Sequence, residues 1–501
     1  MRIDKFLKDS FILTVSNMVT GIIAFLFSIL LSRELGAEGL GLYGLIMPVY
    51  GLLLCFTSDG LVTASSKISA VYASRRDTGN LSKTFSTVFS FILVWSVGVA
   101  LLVFLCNKAL AVHIVRDARA AQALAVLAPA LVFVPLSAII KGFFYGLGNY
   151  KTTAIVDIAE KLLRVVILTT AIAILVPEGV DRKVATAYFA LAVGELFSLS
   201  ILYACYRLQR RKLTSSGQRQ KSRIQLLFDV FVISVPLCLN GIISSVLSTA
   251  ATLLLPRRLV AGGLSYSEAL ALIGRFGGMA LNISYLPFII IGSVLTVLVP
   301  ELSLSMSRKD LWSAENRIAQ VLRLASSIGL ATAIVCVILP DTLGLLFYNR
   351  DDLGGMIRFS AAICLVSYVS SPTFGILNAL GKQNILLKNS LIISLESLVL
   401  IFVLTGIPEL NIYGYGLSMI LTSLTAFVIN IREIRKICEI QIELQDLATL
   451  LLSGIAAFLL ALLADRLFAG SAPALRAAAV VIATFGAILG LNGLAGKYRA
   501  C

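Results

Sequence analysis

The feature that most constrains this chain is a recurrence. Apolar runs of about twenty residues, each long enough to cross a hydrocarbon core of about 30 Å as a helix, follow one another from near 11–32 to near 474–496. About fourteen such runs can be placed, with charged or turn-forming residues between them. They are continuous and do not alternate with polar residues, which excludes a membrane β-barrel. In lipid each span must satisfy its own backbone hydrogen bonds, so helices are required. The expected fold class is an all-α polytopic membrane protein with about fourteen transmembrane helices. Composition agrees. Of 501 residues, 58% are hydrophobic and 14% charged, against roughly 25% charged in soluble domains. The first run follows "MRIDKFLKDS" and lacks a small-x-small cleavage site. It is longer than a signal-peptide core and reads as a retained first span.

The net charge of +15 resides in short loops and forms no continuous face. Nucleic acid is therefore not an expected partner. The pattern is that of basic loops kept in the cytoplasm. With the N-terminus inside, the larger share of Lys and Arg falls inside, both termini are cytoplasmic, and the richest inside loop is "RLQRRKLTSSGQRQKSR" (207–223).

That loop also separates two similar halves. "FFYGLGNYK" (143–151) pairs with "FGILNALGKQN" (374–384) through Leu147-Gly148 and Leu380-Gly381. "YASRRD" (72–77) and "SMSRKD" (305–310) share the same spacing. Two parallel six-helix repeats are expected, related by an axis along the membrane normal. The domains expected are 1–222, an N-terminal six-helix lobe; 223–440, a C-terminal six-helix lobe; and 441–501, an additional helix pair. Facing bundles of this kind suit a transporter.

Catalytic and metal signatures fail their context. Eight cysteines are scattered without a CxxC pair and His113 is the lone histidine, which argues against a zinc or iron–sulfur site. "GLGLYG" (39–44) fits GxGxxG but follows no strand. "GILNALGKQ" (375–383) misses the P-loop spacing and has Gln383 where a magnesium-binding hydroxyl belongs. No enzyme and no cofactor are expected. Na+, H+ or the membrane potential remain as energy sources.

Against this apolar background "DIAEKLLRVV" (157–166) stands out. Asp157, Glu160, Lys161 and Arg164 fall at i, i+3, i+4 and i+7, one stripe of a helix. Glu160 and Arg164 form an i,i+4 pair in the favourable order. Counted from Thr153, Asp157 lies about 6 Å deep and Arg164 about 16 Å deep, near the bilayer centre. A central Arg costs about 2.5–3.5 kcal/mol to insert, so the stripe must face water or polar partners. Two explanations stand: an ion-pair network that joins helices, or a hydrated cavity that binds cargo. At the repeat spacing the four charges correspond to Ser390, Ile393, Ser394 and Ser397. Pure architecture would be expected in both halves, so cargo binding is favoured. Arg275 in "IGRFGGMAL", Glu195 in "VGELFS", Asp59 in "TSDG" and Glu396 in "SLESL" are further ionisable groups in apolar runs and join the candidate substrate-binding set.

Four stretches carry a family resemblance: "LLSRELGAEGLGLYGLIMPVYGLL" (30–53), "KGFFYGLGNYKTTAIVDIAEKLLRV" (141–165), "GMALNISYLPFIIIGSVLTVLVPELS" (278–303) and "LNALGKQN" (377–384). They resemble the stage V sporulation protein B group, in the polysaccharide transporter branch of the multidrug/oligosaccharidyl-lipid/polysaccharide (MOP) exporter superfamily. "GLVTASSK" (60–67) departs from the family pattern, which has a proline after the glycine. The resemblance implies a V-shaped pair of lobes plus two C-terminal helices, alternating access, and a place in the bacterial cytoplasmic membrane. It implies flipping of an undecaprenyl-pyrophosphate-linked saccharide to the outer leaflet, lipid II foremost. The implied partners are a lipid-linked anionic saccharide, the lipid bilayer and cell-envelope synthesis enzymes. The group's fifth-span E-x-x-x-R pattern falls on Glu160 and Arg164. Such a cargo suits arginine, whose planar fork binds phosphate and keeps its charge when desolvated. Two alternatives remain: a drug/cation antiporter of the same superfamily, which would want a net acidic cavity, and a non-transporting membrane scaffold for envelope or spore-cortex synthesis.

Overall fold

In a computed structural model the chain is described over residues 2–75, 77–175, 178–211, 221–307, 310–439 and 444–498. Among these residues the regular structure is helical, with no strand. Contacts divide the chain into two compact units, Met1–Leu253 and Leu254–Cys501. The loop expected to separate the lobes lies largely outside the described residues, at 212–220. By contacts the division falls within a helix.

The first unit holds α1 (Arg2–Thr57), α2 (Leu61–Ser74), α3 (Thr78–Leu105), the short α4 (Asn107–Ala109), α5 (Ala120–Leu127), α6 (Ala130–Gly146), α7 (Tyr150–Leu175) and α8 (Val180–Arg211). The first part of α9 (Arg223–Ala261) also belongs to it. At 56 residues α1 would reach about 84 Å if straight, far more than one crossing needs. Gly36, at φ 69 and ψ −178, breaks it in a conformation that side chains disfavour. Helices α2 and α6 approach to backbone contact. A Cβ at Gly142 would lie 2.6 Å from Ser65 Cβ and 2.7 Å from the Val62 carbonyl, and one at Gly146 would lie 2.5 Å from Ser69 Cβ. This is the small-residue packing that membrane helices use where no hydrophobic effect drives them together. Phe85, Phe143, Phe144 and Tyr206 fill the adjoining core with Leu226 and Val230, so the start of α9 is built into the first unit.

The second unit continues with α10 (Tyr266–Ile273), α11 (Leu281–Tyr285), α12 (Phe288–Ser307), α13 (Leu311–Ile338), α14 (Pro340–Tyr348), α15 (Gly354–Ala379), α16 (Gln383–Leu404), α17 (Asn411–Arg435), α18 (Leu444–Leu467) and α19 (Pro473–Tyr498). A π-helical turn, Gly274–Ala280, joins α10 to α11. Between Tyr285 and Phe288 the path bends by 59°. Pro287 lacks the N–H that would continue the ladder there.

Backbone landmarks repeat between the units. Asp77 caps α3 by accepting from Asn80 N, and Asp310 caps α13 by accepting from Ser313 N. Arg116 and Asn349 are both left-handed, as are Gly148 (φ 70) and Gly381 (φ 71). Each pair is separated by the same 233 positions.

Eleven helices among the described residues are long and apolar enough to cross a membrane, or up to twelve if the bent pair is one span. The expected fourteen is therefore not fixed by length and hydropathy. Two places account for the gap in counting. Ile12–Ser74 counts once although it is 63 residues long. Helix α7 does not qualify, because its charged stripe lowers its apolar character.

Candidate functional site

The charged stripe is positioned by the turn before α7. Gly148 turns the chain at φ 70, and Asn149 Oδ1 accepts from Thr152 Oγ1 at 3.1 Å, starting the helix at Tyr150. From there the 3.6-residue period divides α7 into two faces. Ile155, Leu162 and Val166 are exposed, while Glu160 and Arg164 are buried at 4% and 8% exposure. The sidedness read from the spacing is present in the structure.

Arg164 is the centre of the cluster. Its Nη2 donates to Glu160 Oε1 one turn earlier and, at 3.1 Å, to Glu195 Oε1 on α8. Lys161 Nζ lies 3.0 Å from Glu160 Oε2. One turn nearer the helix start, Asp157 Oδ1 lies 2.7 Å from Lys141 Nζ on α6. Arg164 Nε is buried with no hydrogen-bond partner among the described residues. Gly194 makes room for the arrangement, since a Cβ there would lie 2.9 Å from Glu160 Oε1. Beside it Tyr43 of α1 stacks on Tyr188 of α8 at 4.7 Å, and Tyr188 Oη donates to the Tyr43 carbonyl at 2.8 Å.

The cluster holds three cations, Lys141, Lys161 and Arg164, and three carboxylates, Asp157, Glu160 and Glu195. Charge balance explains how it survives in an apolar unit. Removing one partner of a buried pair typically costs about 3–5 kcal/mol, because the other charge stays behind. A guanidinium bound by carboxylate oxygens presents the same donor geometry that a phosphate would accept.

The other candidates lie elsewhere. Asp59, in the turn between α1 and α2, accepts from Gly60 N at 3.2 Å. Its Oδ2 presses on α9, where a Cβ at Gly241 would come within 1.5 Å. With Thr63 and Ser244 it lines a small polar cavity of the first unit, and among the described residues no hydrogen bond or ion pair joins it to Arg164. Arg275 and Glu396 belong to the second unit. Arg275, in the π-helical turn, places Nη1 2.9 Å from Asp352 Oδ2. Arg350 also grips Asp352, from Nε and Nη2 at 2.7 Å each. Hydrogen bonds from Arg350, joined by Arg275, hold the Asp352 carboxyl down to about 2. Glu396 Oε1 accepts from Thr425 at 2.8 Å.

Sequence reasoning missed Lys141, Gly194 and Asp352. Lys141 meets the criterion that singled out Glu195, a lone charge in an apolar run. Gly194 and Asp352 gave no local signal, because their roles depend on helices brought together by folding.

Comparison with known proteins places the chain. The family described as "Polysaccharide biosynthesis protein" matches residues 6–306, more than half of the sequence. The chain belongs to this family. Stage V sporulation protein B of Bacillus subtilis (strain 168) is 27% identical over 451 residues, covering 88% of this chain and 86% of its own. Among solved structures, lipid II flippase MurJ in an inward closed conformation superposes with a TM-score of 0.70 at 11% identity, over 99% of this chain and 100% of that one. An inward-facing multidrug resistance MATE family transporter of the MOP superfamily gives 0.64 at 15% identity, over 84% and 94%. This member of the polysaccharide biosynthesis protein family is thus a multi-pass membrane protein with the fold of MOP transporters. The resemblance read from the four sequence stretches and the all-helical fold class are both borne out.

Proposed function

We propose that this protein flips a lipid-linked saccharide from the cytoplasmic to the outer leaflet by alternating access. Lipid II, or a related undecaprenyl-pyrophosphate-linked unit, is the proposed cargo, and the cytoplasmic membrane, with both termini inside, is the proposed setting. Arg164 carries the reading. It is a buried arginine clamped between carboxylates of two helices, with a spare Nε–H donor. A pyrophosphate headgroup needs such a donor fork, because it carries about two charges that cannot enter hydrocarbon unaided. The paired carboxylates keep the arginine neutralised when no headgroup is bound. Similarity to a lipid II flippase fold and membership of a polysaccharide family favour the same cargo class.

The test is reconstitution. Purified protein in liposomes should move a fluorescent lipid-linked saccharide between leaflets, and Arg164→Ala should not. Depletion in the source organism should accumulate a lipid-linked intermediate, identifiable by mass spectrometry. A drug/cation antiporter is the second reading, favoured by the MATE likeness and by Glu160 and Glu195 in the cluster. Proteoliposomes that accumulate a cationic dye but leave the lipid-linked saccharide in place would establish it instead.

A further inference from the structure

The two carboxylates that hold Arg164 are not equivalent. Glu160 binds Arg164 through Oε1 and Lys161 through Oε2, the latter at 3.0 Å. Among the described residues, the ion-pair partner of Glu195 is Arg164, at 3.1 Å. An anionic headgroup that takes over the Arg164 donor therefore leaves Glu160 with a countercharge and Glu195 without one. An unpaired carboxylate in a poorly hydrated site is the costly member of the new arrangement. A proton removes that cost.

We infer that Glu195 takes up one proton from solution as the anionic headgroup binds at Arg164, so that cargo affinity is linked to pH. This rests on the reading of Arg164 as the headgroup site. The step breaks the Arg164–Glu195 hydrogen bond and forms one O–H bond on Glu195, with no covalent change in the cargo. The groups facing Glu195 leave no other obvious source of compensation. On α7, Lys161 is held by Glu160. On α6, Lys141 is held by Asp157, and Tyr145 lies beside it. Helix α1 contributes Tyr43 and Tyr50, and α8 itself Tyr188. Tyrosines are ordinarily neutral at physiological pH. Helix α5, packed on α8, has no ionisable side chain along Ala120–Leu127. The six charges balance before cargo arrives, so a dianion brings a surplus of two. One proton halves it, and the partly exposed Lys161 remains within reach of the outer phosphate and water.

The experiment uses purified full-length protein and a short-chain prenyl pyrophosphoryl N-acetylglucosamine. This pyrophosphate diester keeps both negative charges from about pH 6 to about pH 8. Titration calorimetry in buffers of different ionisation enthalpy should report uptake of about one proton, and Kd should weaken by up to about tenfold per pH unit on the alkaline side. Glu195→Gln should bind with a flat pH profile, and more tightly than the wild type at the alkaline end. Glu160→Gln should keep the slope. Monodisperse elution of each variant checks folding, and the wild-type buffer dependence needs no variant. Tight binding with heats independent of buffer and affinity independent of pH would overturn the inference while leaving the flippase reading intact. A slope that survives Glu195→Gln would overturn the assignment to Glu195. No binding at any pH would overturn both readings.

Discussion

Helices α7 and α8 of the first unit and α16 and α17 of the second occupy corresponding places in the repeat, yet their interiors use different chemistry. In the first unit Arg164 is clamped by Glu160 and Glu195. In the second, hydrogen bonds rather than ion pairs join the helices among the described residues: Glu396 on α16 accepts from Thr425 on α17, and neutral amides do the rest. Asn389 Nδ2 donates to Asn430 Oδ1 and Asn430 Nδ2 to Thr373 Oγ1, each at 2.9 Å. Asp157, Lys161 and Arg164 correspond to serines, and Glu160 to Ile393. The second pair shows that a cation–carboxylate cluster is not needed to hold such helices together. The charged version carries an insertion penalty of about 2.5–3.5 kcal/mol per central charge, and the cargo binding proposed for Arg164 would give it a reason to exist.

The largest expected effect tests that contrast directly. Arg164→Ala should reduce transport by about 100-fold or more, the equivalent of about 3 kcal/mol of charge-assisted hydrogen bonding, while folded protein still accumulates. Arg164→Lys should recover only part, because a point charge replaces a fork. Ser397→Ala, at the corresponding place, should stay within about twofold in the same assay. A Glu160→Leu, Arg164→Leu double variant that still transports would reduce the cluster to architecture and end the contrast.

Next in size is a packing test. Gly142→Ala should destabilise by about 1–3 kcal/mol, because the new methyl meets Val62 and Ser66 backbone atoms at 2.7 and 3.2 Å. Its counterpart Gly375→Ala meets the end of a leucine side chain, Leu295 Cδ2, at 3.1 Å and should cost under about 1 kcal/mol. Thermal midpoints in detergent would rank the two, and equal losses would show that the helix pairs are packed alike.

Asn430→Ala should follow. It takes the acceptor from Asn389 Nδ2 and one donor from Thr373 Oγ1, which still donates to the Ser370 carbonyl, at about 1–2 kcal/mol, and should lower the thermal midpoint without altering transport per folded molecule. Transport loss at unchanged stability would move function into the second unit.

The smallest effect concerns a pair whose order is reversed between the units. Arg119 grips Asp117 in the first, whereas Arg350 grips Asp352 in the second. Exchanging Arg350 and Asp352 should leave yield within about twofold, since exposed pairs are worth about 0–1 kcal/mol. Asp352 titrates at about 2, below its ordinary range near 3.9. Its contribution is therefore present above about pH 4 and fades as pH falls toward about 2, a dependence the exchanged protein should lose in part.

What the sequence revealed was whatever depends on spacing along the chain. The stripe of α7 was legible because four charges obey the helical period. The repeat was legible because Leu147-Gly148 and Leu380-Gly381 mark equivalent turns, and the structure gives both glycines the same φ. Partners across helices were not legible. Glu195 stood out as a lone charge, but nothing in the spacing joined it to Arg164, 31 positions away. Arg275 was visible for the same reason as Glu195, whereas Asp352 lies among other loop charges and gains its meaning only when the turn folds against the π-helical segment. The number of crossings also resists counting by length and hydropathy, because the two helical parts of α1 meet directly at Gly36 with no loop between them and α7 is too charged to register as apolar.

Gly194 has a bearing on how this sequence can drift. Its missing side chain is the space in which Glu160 Oε1 sits, so the two positions do not mutate independently. A lineage that acquires a side chain at 194 while keeping Glu160 pushes the carboxylate off α8 and loosens its hold on Arg164. One that first shortens or neutralises position 160 opens the way for 194 to change at little cost. The order of substitutions therefore matters. Among diverging relatives, glycine at this position should accompany glutamate at the other and vanish with it, so that the pair is inherited as one character.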